Sequence, residues 1–315
     1  MTKKNLLITG GLGYVGGRLS KYFSESGDYK VFSLSRTKKD IKHKGIEVLS
    51  NEAVLKNGIL SNLKIDVIIH LAAANEMDCS NKPKESNEVN INGTLDWLAW
   101  AKENHVKQFI YFSTVHVYAR PLIGEYLESS PTFPNHPYSI SHQSAEDYAL
   151  WYHTDFNLNV KIVRLSNSFG YPAFPTANRW TLFINDVCKQ IVVNKKFKVH
   201  SNVLQKRDFI SLSNVCTAVE SLINYQIPES DNRIFNISNE QSQTLWEISN
   251  QIKKVAENYY KEPIEIIYDA EKSKKTNTLK ISNQKIKNTG WEIQSENFEE
   301  EITKTIKFFE ENKIQ

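Results

Sequence analysis

The stretch "NLLITGGLGYVGG", residues 5–17, constrains this chain more than any other. Its apolar run ends in glycines and reads as a buried strand. Gly10, Gly13 and Gly16 follow directly, and Tyr14 to Glu25 then carries helical spacing, with Val15, Leu19, Tyr22 and Phe23 on one face. Glycines let the backbone turn tightly and approach a pyrophosphate, whose charge rests on the helix N-terminus. A glycine turn used only for packing is the alternative. The strand before it, the helix after it and the alternating context weigh against that.

The alternation continues. "YKVFSL" is a second strand, "GIEVLS" a weak third and "DVIIHLAAA" a clear fourth. A long helix over 85–104, the strand "QFIYFST", a helix over 142–154 and the strand "NVKIVRLS" complete the first half. Strand and helix in turn predict an α/β fold, a Rossmann-type doubly wound parallel sheet with helices on both faces. After Gly170 the pattern loosens at "GYPAFPTANRW". Helices over about 179–194, 213–226 and 244–260 then mix with short strands, "FKVH", "RIFNIS" and "IEIIY". This predicts a smaller, interleaved C-terminal substrate lobe. The expected division is a nucleotide-binding domain over 1–170, with segments of about 200–226 returning to it, and a mainly substrate-binding lobe over 171–315.

Bulk properties exclude several classes. The net charge of +3 is too small to argue for nucleic acid or an acidic membrane surface. Cys79, Cys188 and Cys216 are far apart and odd in number, so neither a disulfide framework nor a metal site is expected. The first apolar run, Leu6 to Ile8, is too short for a signal peptide, and no run approaches the roughly 18 residues of a membrane span. A cytoplasmic protein is expected.

The glycine spacing is G-x-x-G-x-x-G, and there the chain resembles a known family. "TGGLGYVG", "HLAA" at His70 to Ala73, "VNINGT" at Val89 to Thr94, "RLSNSFG" at Arg164 to Gly170 and "QKRDFISLSNV" at Gln205 to Val215 resemble the extended short-chain dehydrogenase/reductase family. "FNIS" and "NTGWEI" carry the likeness towards the end, so it covers nearly the whole chain in order. The resemblance implies a nicotinamide-dependent oxidoreductase acting on nucleotide sugars, and a homodimer. It places Gly10, Gly13, Tyr14, Val15, Leu71, Ala72, Ala73, Asn90 and His142 at the cofactor.

In such proteins the end of the second strand reads the adenosine ribose. Here it runs "VFSLSRTKK": Ser35 stands where an NAD enzyme usually has aspartate, and Arg36, Lys38 and Lys39 follow. An arginine fork suits a 2′-phosphate that a carboxylate would repel, so NADP(H) is expected over NAD(H). Arg36 as a plain surface charge is the alternative.

The resemblance implies that a Ser or Thr, a Tyr and a Lys act together. Matching "YFSTVHVY" to the family's pattern puts Thr114 in the first role, and Tyr138 follows 24 residues later. In "PYSISH" the lysine position holds His142. One helical turn keeps His142 on the face of Tyr138. Neutral at pH 7 unless a neighbour raises its pKa, it would depress the tyrosine pKa less than a lysine does. Reducing a ketone needs a neutral tyrosine and oxidising an alcohol needs a tyrosinate, so the departure suits a ketoreductase better than an epimerase. A weakened member is the alternative. The similar sugar-nucleotide 4,6-dehydratases carry an Asp-Glu pair where this chain has Val115 and His116, which argues against dehydration.

For the substrate, the resemblance assigns Arg207 to a diphosphate and Asn167 to the nicotinamide side. Arg179, in the variable lobe, is a further candidate, and so is His116, for which a structural role is the favoured alternative. Arg207 paired with Asp208 or Glu220, bracing the fold, remains open. The expected activity is NADPH-dependent reduction of a keto group on a nucleotide-activated deoxysugar. A nucleotide-sugar 4-epimerase with tightly held NAD, and a catalytically weakened cofactor-binding protein, are the alternatives.

Overall fold

The computed structural model describes residues 3–36, 43–60, 63–268, 278–295 and 297–314. Seven strands form the central sheet: β1 (Lys4–Thr9), β2 (Tyr29–Ser35), β3 (Ile46–Ser50), β4 (Val67–His70), β5 (Gln108–Thr114), β6 (Val160–Leu165) and β7 (Ile234–Ile237). All neighbours pair in parallel, in the order β7-β6-β5-β4-β1-β2-β3. Every residue of β4 and β5 is buried, as a sheet covered on both faces requires.

Side chains alternate across each strand, so one strand feeds two cores. Leu6 and Ile8 pack with Leu19 and Phe23 of the first helix (Tyr14–Glu25) and with Val215 and Val219 of the Leu212–Asn224 helix. Leu7 points the other way, into a core with Trp97, Leu98, Phe109, Ala145 and Ala149. The strand order reverses direction between β1 and β4. In such sheets the usual ligand position lies beyond the carboxyl ends of the strands at this reversal.

Two elements differ from the sequence reading. The helix expected over 85–104 is broken into Pro83–Asn87, a π-helical turn Glu88–Asn92, and Gly93–Glu103. The wide turn carries the buried Asn90. Ile234–Ile237, expected as a strand of the second lobe, is instead the edge strand of the main sheet, beside β6. Its apolar residues serve both faces: Phe235 and Ile237 join the first core, and Ile234 packs on the second.

The C-terminal lobe has its own core, with Ile184, Val187, Phe197, Leu245, Ile252, Ile302 and Phe309. Short strand pairs join segments of this part of the chain. Asn167–Phe169 pairs with Phe209–Ser211, and Lys206–Arg207 with Gln243–Thr244. Among the described residues no helix is long and apolar enough to cross a membrane.

A buried ion pair ties the lobe to the first helix. The Arg18 guanidinium donates to Glu301 (2.9 Å) on the last helix, to Ser213 (3.0 Å) and to the Tyr171 carbonyl (3.0 Å). Gly170, at φ +137°, leaves room for this contact, because a Cβ there would lie 2.3 Å from Glu301 Oε2. Removing one partner strands the other charge, at a cost of about 3–5 kcal/mol. Glu301→Gln is therefore expected to lower stability by about 3 kcal/mol in urea denaturation; a loss near zero would mean that the pair does not secure the lobe.

Candidate active site

The glycine turn closes against the segment after β4. Gly10 has φ +65°, and a Cβ on it would lie 3.1 Å from the Ala72 nitrogen. Gly16 is still tighter, since its Cβ would meet the Gly10 carbonyl oxygen at 2.3 Å. Gly13 caps the first helix with no side-chain hydrogen bond, and the first turn holds no acidic residue. The cradle and the uncapped helix end fit a pyrophosphate. The Tyr14 side chain does not face it: its hydroxyl donates to the Gly170 carbonyl (2.8 Å) and lies 3.2 Å from Asn185 Oδ1. Val15 packs against the first core. These two residues therefore offer backbone, not side chain, to a ligand. At the end of β2, Ser35 is half-buried and Arg36 exposed. Lys38 and Lys39 lie outside the described residues.

A chain of buried hydrogen bonds runs from this turn to the Pro137–Phe156 helix. Thr94 gives its only hydroxyl proton to the Asn90 carbonyl (2.7 Å), so its oxygen accepts from His70 Nε2 (3.1 Å). His70 Nδ1 then accepts from Thr9 (2.8 Å), whose oxygen accepts from the N–H groups of Leu71 (3.1 Å) and Ala72 (3.2 Å). Burial pushes the His70 pKa down to about 3, so the ring stays neutral. Asn90 accepts from the Ala74 N–H (2.6 Å) and donates to Ser141 (2.9 Å), which donates to the Tyr138 carbonyl (3.0 Å). Asn90, expected as a cofactor contact, uses both ends of its amide to hold the Ala74 backbone to the helix.

That helix starts at Pro137, pre-set for the first helical position. His136 caps it, its Nδ1 accepting from the Tyr138 N–H (3.2 Å). Tyr138, His142 and Glu146 follow at four-residue spacing on one face. Glu146 is paired with Arg164 of β6 (2.6 Å), both fully buried, which neutralises the far end of the row. The Tyr138 and His142 rings meet edge to face, with centroids 4.4 Å apart. Thr114, at the end of β5, accepts from the His116 N–H (3.2 Å) and is close enough to Tyr138 to offset slightly the rise in its pKa.

The electrostatics favour neutral forms. Tyr138 is half-buried, and loss of water around its hydroxyl pushes its pKa up to about 12, the Glu76 carboxylate adding to the effect and Arg179 opposing it. Burial holds His142 at about 4, well below the ordinary imidazole. Its Nδ1 lies 2.8 Å from the Tyr111 hydroxyl, and its Nε2 is buried and has no partner among the described residues. An orphaned polar atom beside the tyrosine fits a hydrogen-bonding group of a bound nucleotide.

His116 lies near enough to Arg207 to feel its charge. Burial lowers both pKa values, and each feels Glu76 and Arg120. Arg207 donates to Gln205 (3.2 Å), and among the described residues it forms no ion pair with Asp208 or Glu220. Asp208 instead accepts from Ser166 and the Asn239 N–H, and Glu220 accepts from Tyr22. The Asn167 amide donates to the Asp208 carbonyl (2.9 Å). Sequence reasoning missed Glu76, whose carboxylate meets Arg120 at 2.6 Å, and also missed Tyr111, His136 and the role of His70. "HLAA" contained the signal for His70; nothing local marked the others.

Comparison with known proteins adds the following. Residues 6–238 match the model described as the NAD dependent epimerase/dehydratase family. The human dTDP-D-glucose 4,6-dehydratase is 27% identical over 98% of this chain and 91% of its own length. Among solved structures, UDP-N-acetylglucosamine 4-epimerase from Methanobrevibacter ruminantium has a TM-score of 0.79 at 23% identity, covering 99% of each chain. UDP-glucose 4-epimerase from Thermotoga maritima has a TM-score of 0.77 at 22% identity, covering 98% of this chain and 99% of its own.

Proposed function

The chain belongs to the NAD-dependent epimerase/dehydratase family, a family of oxidoreductase-type enzymes, and from that premise we propose that it is an NADPH-dependent ketoreductase acting on a nucleotide-activated keto-deoxysugar. One observation carries the reading: one helical turn from Tyr138 stands His142, its ring 4.4 Å away, in place of a permanent cation, while burial raises the tyrosine pKa and lowers that of the histidine. The bound cofactor would supply hydride to the keto carbon. Tyr138 holds the proton that the developing alkoxide needs, and Thr114 shares a hydrogen bond at the same oxygen. His142 Nε2 is the group left to hold the cofactor ribose. Arg207 suits the substrate diphosphate, with Arg179, Asn167 and His116 around the sugar.

Two relatives' activities are weighed against this. The human dehydratase's chemistry finds no support in Val115 and His116, which bring no carboxylate beside Thr114. A 4-epimerase must alternate between tyrosine and tyrosinate, and burial of Tyr138 with no lysine beside it favours the first of these. An epimerase also keeps its cofactor through turnover. The spectrum of the purified protein separates the two: a reductase releases oxidised cofactor and takes up fresh NADPH, whereas retained NAD with no response to NADPH supports the epimerase.

The preference for NADP(H) rests on Arg36, with no carboxylate at Ser35 to repel a phosphate. Arg36→Ala is expected to weaken NADPH binding by about 1.5–3 kcal/mol, the scale of a hydrogen bond to a charged group, and NADH binding much less. Equal losses for both cofactors in calorimetry would remove the assignment.

A homodimer is supported by the outer face of the Pro137–Phe156 helix, where Ile140, Tyr148 and Trp151 are exposed. The three unpaired, buried cysteines suit a reducing compartment such as the cytoplasm.

A further inference from the structure

The Tyr111–His142 contact joins two elements, β5 and the Pro137–Phe156 helix. Both side chains are buried, at 3% and 2% exposure. The Tyr111 ring also stacks with His70, with centroids 6.0 Å apart and planes at 25°. Its hydroxyl has a single proton, and among the described residues its one hydrogen-bond partner is His142 Nδ1. A buried donor left unpaired is costly, so the proton goes to Nδ1. A neutral imidazole whose Nδ1 accepts must carry its own proton on Nε2. That nitrogen is the buried one without a partner among the described residues.

We propose that Tyr111 is a positioning residue that locks His142 in the Nε2–H tautomer, so that a neutral ring presents one fixed donor to the cofactor ribose. The lock stands on the protein's own geometry; only the identity of the acceptor rests on the function proposed above. It gives this site what a lysine ammonium would otherwise provide by rotating freely, a donor aimed at a hydroxyl, without the accompanying charge. Burial keeps both members neutral at ordinary pH, with Tyr111 pushed well above the phenol range and His142 at about 4. The nearest carboxylate on the same helix face, Glu146, is engaged by Arg164 and leaves the ring alone.

The tautomer can be read directly by nitrogen NMR of isotope-labelled histidine in cofactor-free protein. In the parent, His142 is expected as Nε2–H. In Tyr111→Phe the Nδ1 loses its donor, and the two tautomers are expected to mix. NADPH affinity should fall roughly tenfold, the scale of one hydrogen bond. A glutamine at the histidine position carries its own amide donor and needs no lock. Tyr111→Phe combined with His142→Gln should therefore cost less than about threefold relative to His142→Gln alone. An Nδ1–H tautomer in the parent would overturn the proposal, whether or not the variants fold. So would an unchanged tautomer in Tyr111→Phe, or an equal loss of NADPH affinity in the His142 and His142→Gln backgrounds. None of these readings uses a sugar substrate, so they stand apart from the test of the reductase itself.

Discussion

Tyr138→Phe is expected to lower kcat for ketone reduction by roughly 10²–10⁴-fold, the usual contribution of a positioned general acid, while leaving NADPH binding nearly unchanged. The substitution removes only the hydroxyl. The ring keeps its edge-to-face contact with His142, and the helix keeps its cap through the Tyr138 N–H, which phenylalanine also has. KM for the sugar should therefore move far less than kcat. A variant retaining more than about half the parent rate would place the proton elsewhere, and His116, whose Nδ1 has no partner among the described residues, is the group to examine next.

His142→Lys is expected to act on the two directions of the reaction differently. A fixed positive charge beside Tyr138 favours the tyrosinate and lowers its pKa by up to a few units. From about 12, each unit gained multiplies the small tyrosinate fraction at pH 7 by ten. The kcat for alcohol oxidation at pH 7 should therefore rise by roughly 10–100-fold. Reduction depends on the protonated form, which is nearly fully populated at pH 7 either way, so its kcat should change little. As pH rises through the lowered pKa the donor is lost, and reduction by the variant should decline at alkaline pH where the parent stays flat. The overall equilibrium fixes the ratio of the two kcat/KM values at each pH, so the asymmetry must be sought in kcat at saturation. Equal gains in both directions would mean that His142 is a loss of function and not an adaptation.

The first half of the fold was open to sequence reading because its signals are local. Buried parallel strands are short apolar runs bounded by turns, and "NLLIT", "YKVFSL" and "QFIYFST" all became strands of the sheet. Ile234–Ile237 was misplaced because the register of a crossover strand depends on a partner, β6, some seventy residues earlier. The site divides in the same way. Thr114, Tyr138 and His142 could be listed from motif and spacing, and the structure brings them into contact. Spacing does not say where a side chain points. Tyr14 was expected at the cofactor and braces the lobe through Gly170; Asn90 was expected there and holds Ala74 and Ser141. Tyr111 was not legible at all, since its contact with His142 spans two elements and 31 positions of sequence.

The account turns on whether this site delivers a net reduction. The most direct measurement mixes purified protein with NADPH and a panel of nucleotide-linked 4-keto-6-deoxysugars, following cofactor absorbance and resolving the sugar products. The account predicts one NADPH oxidised per sugar reduced with at least one member of the panel, and no such consumption in Tyr138→Phe. Inversion of a nucleotide sugar at its 4-hydroxyl with no net NADPH consumed would contradict it.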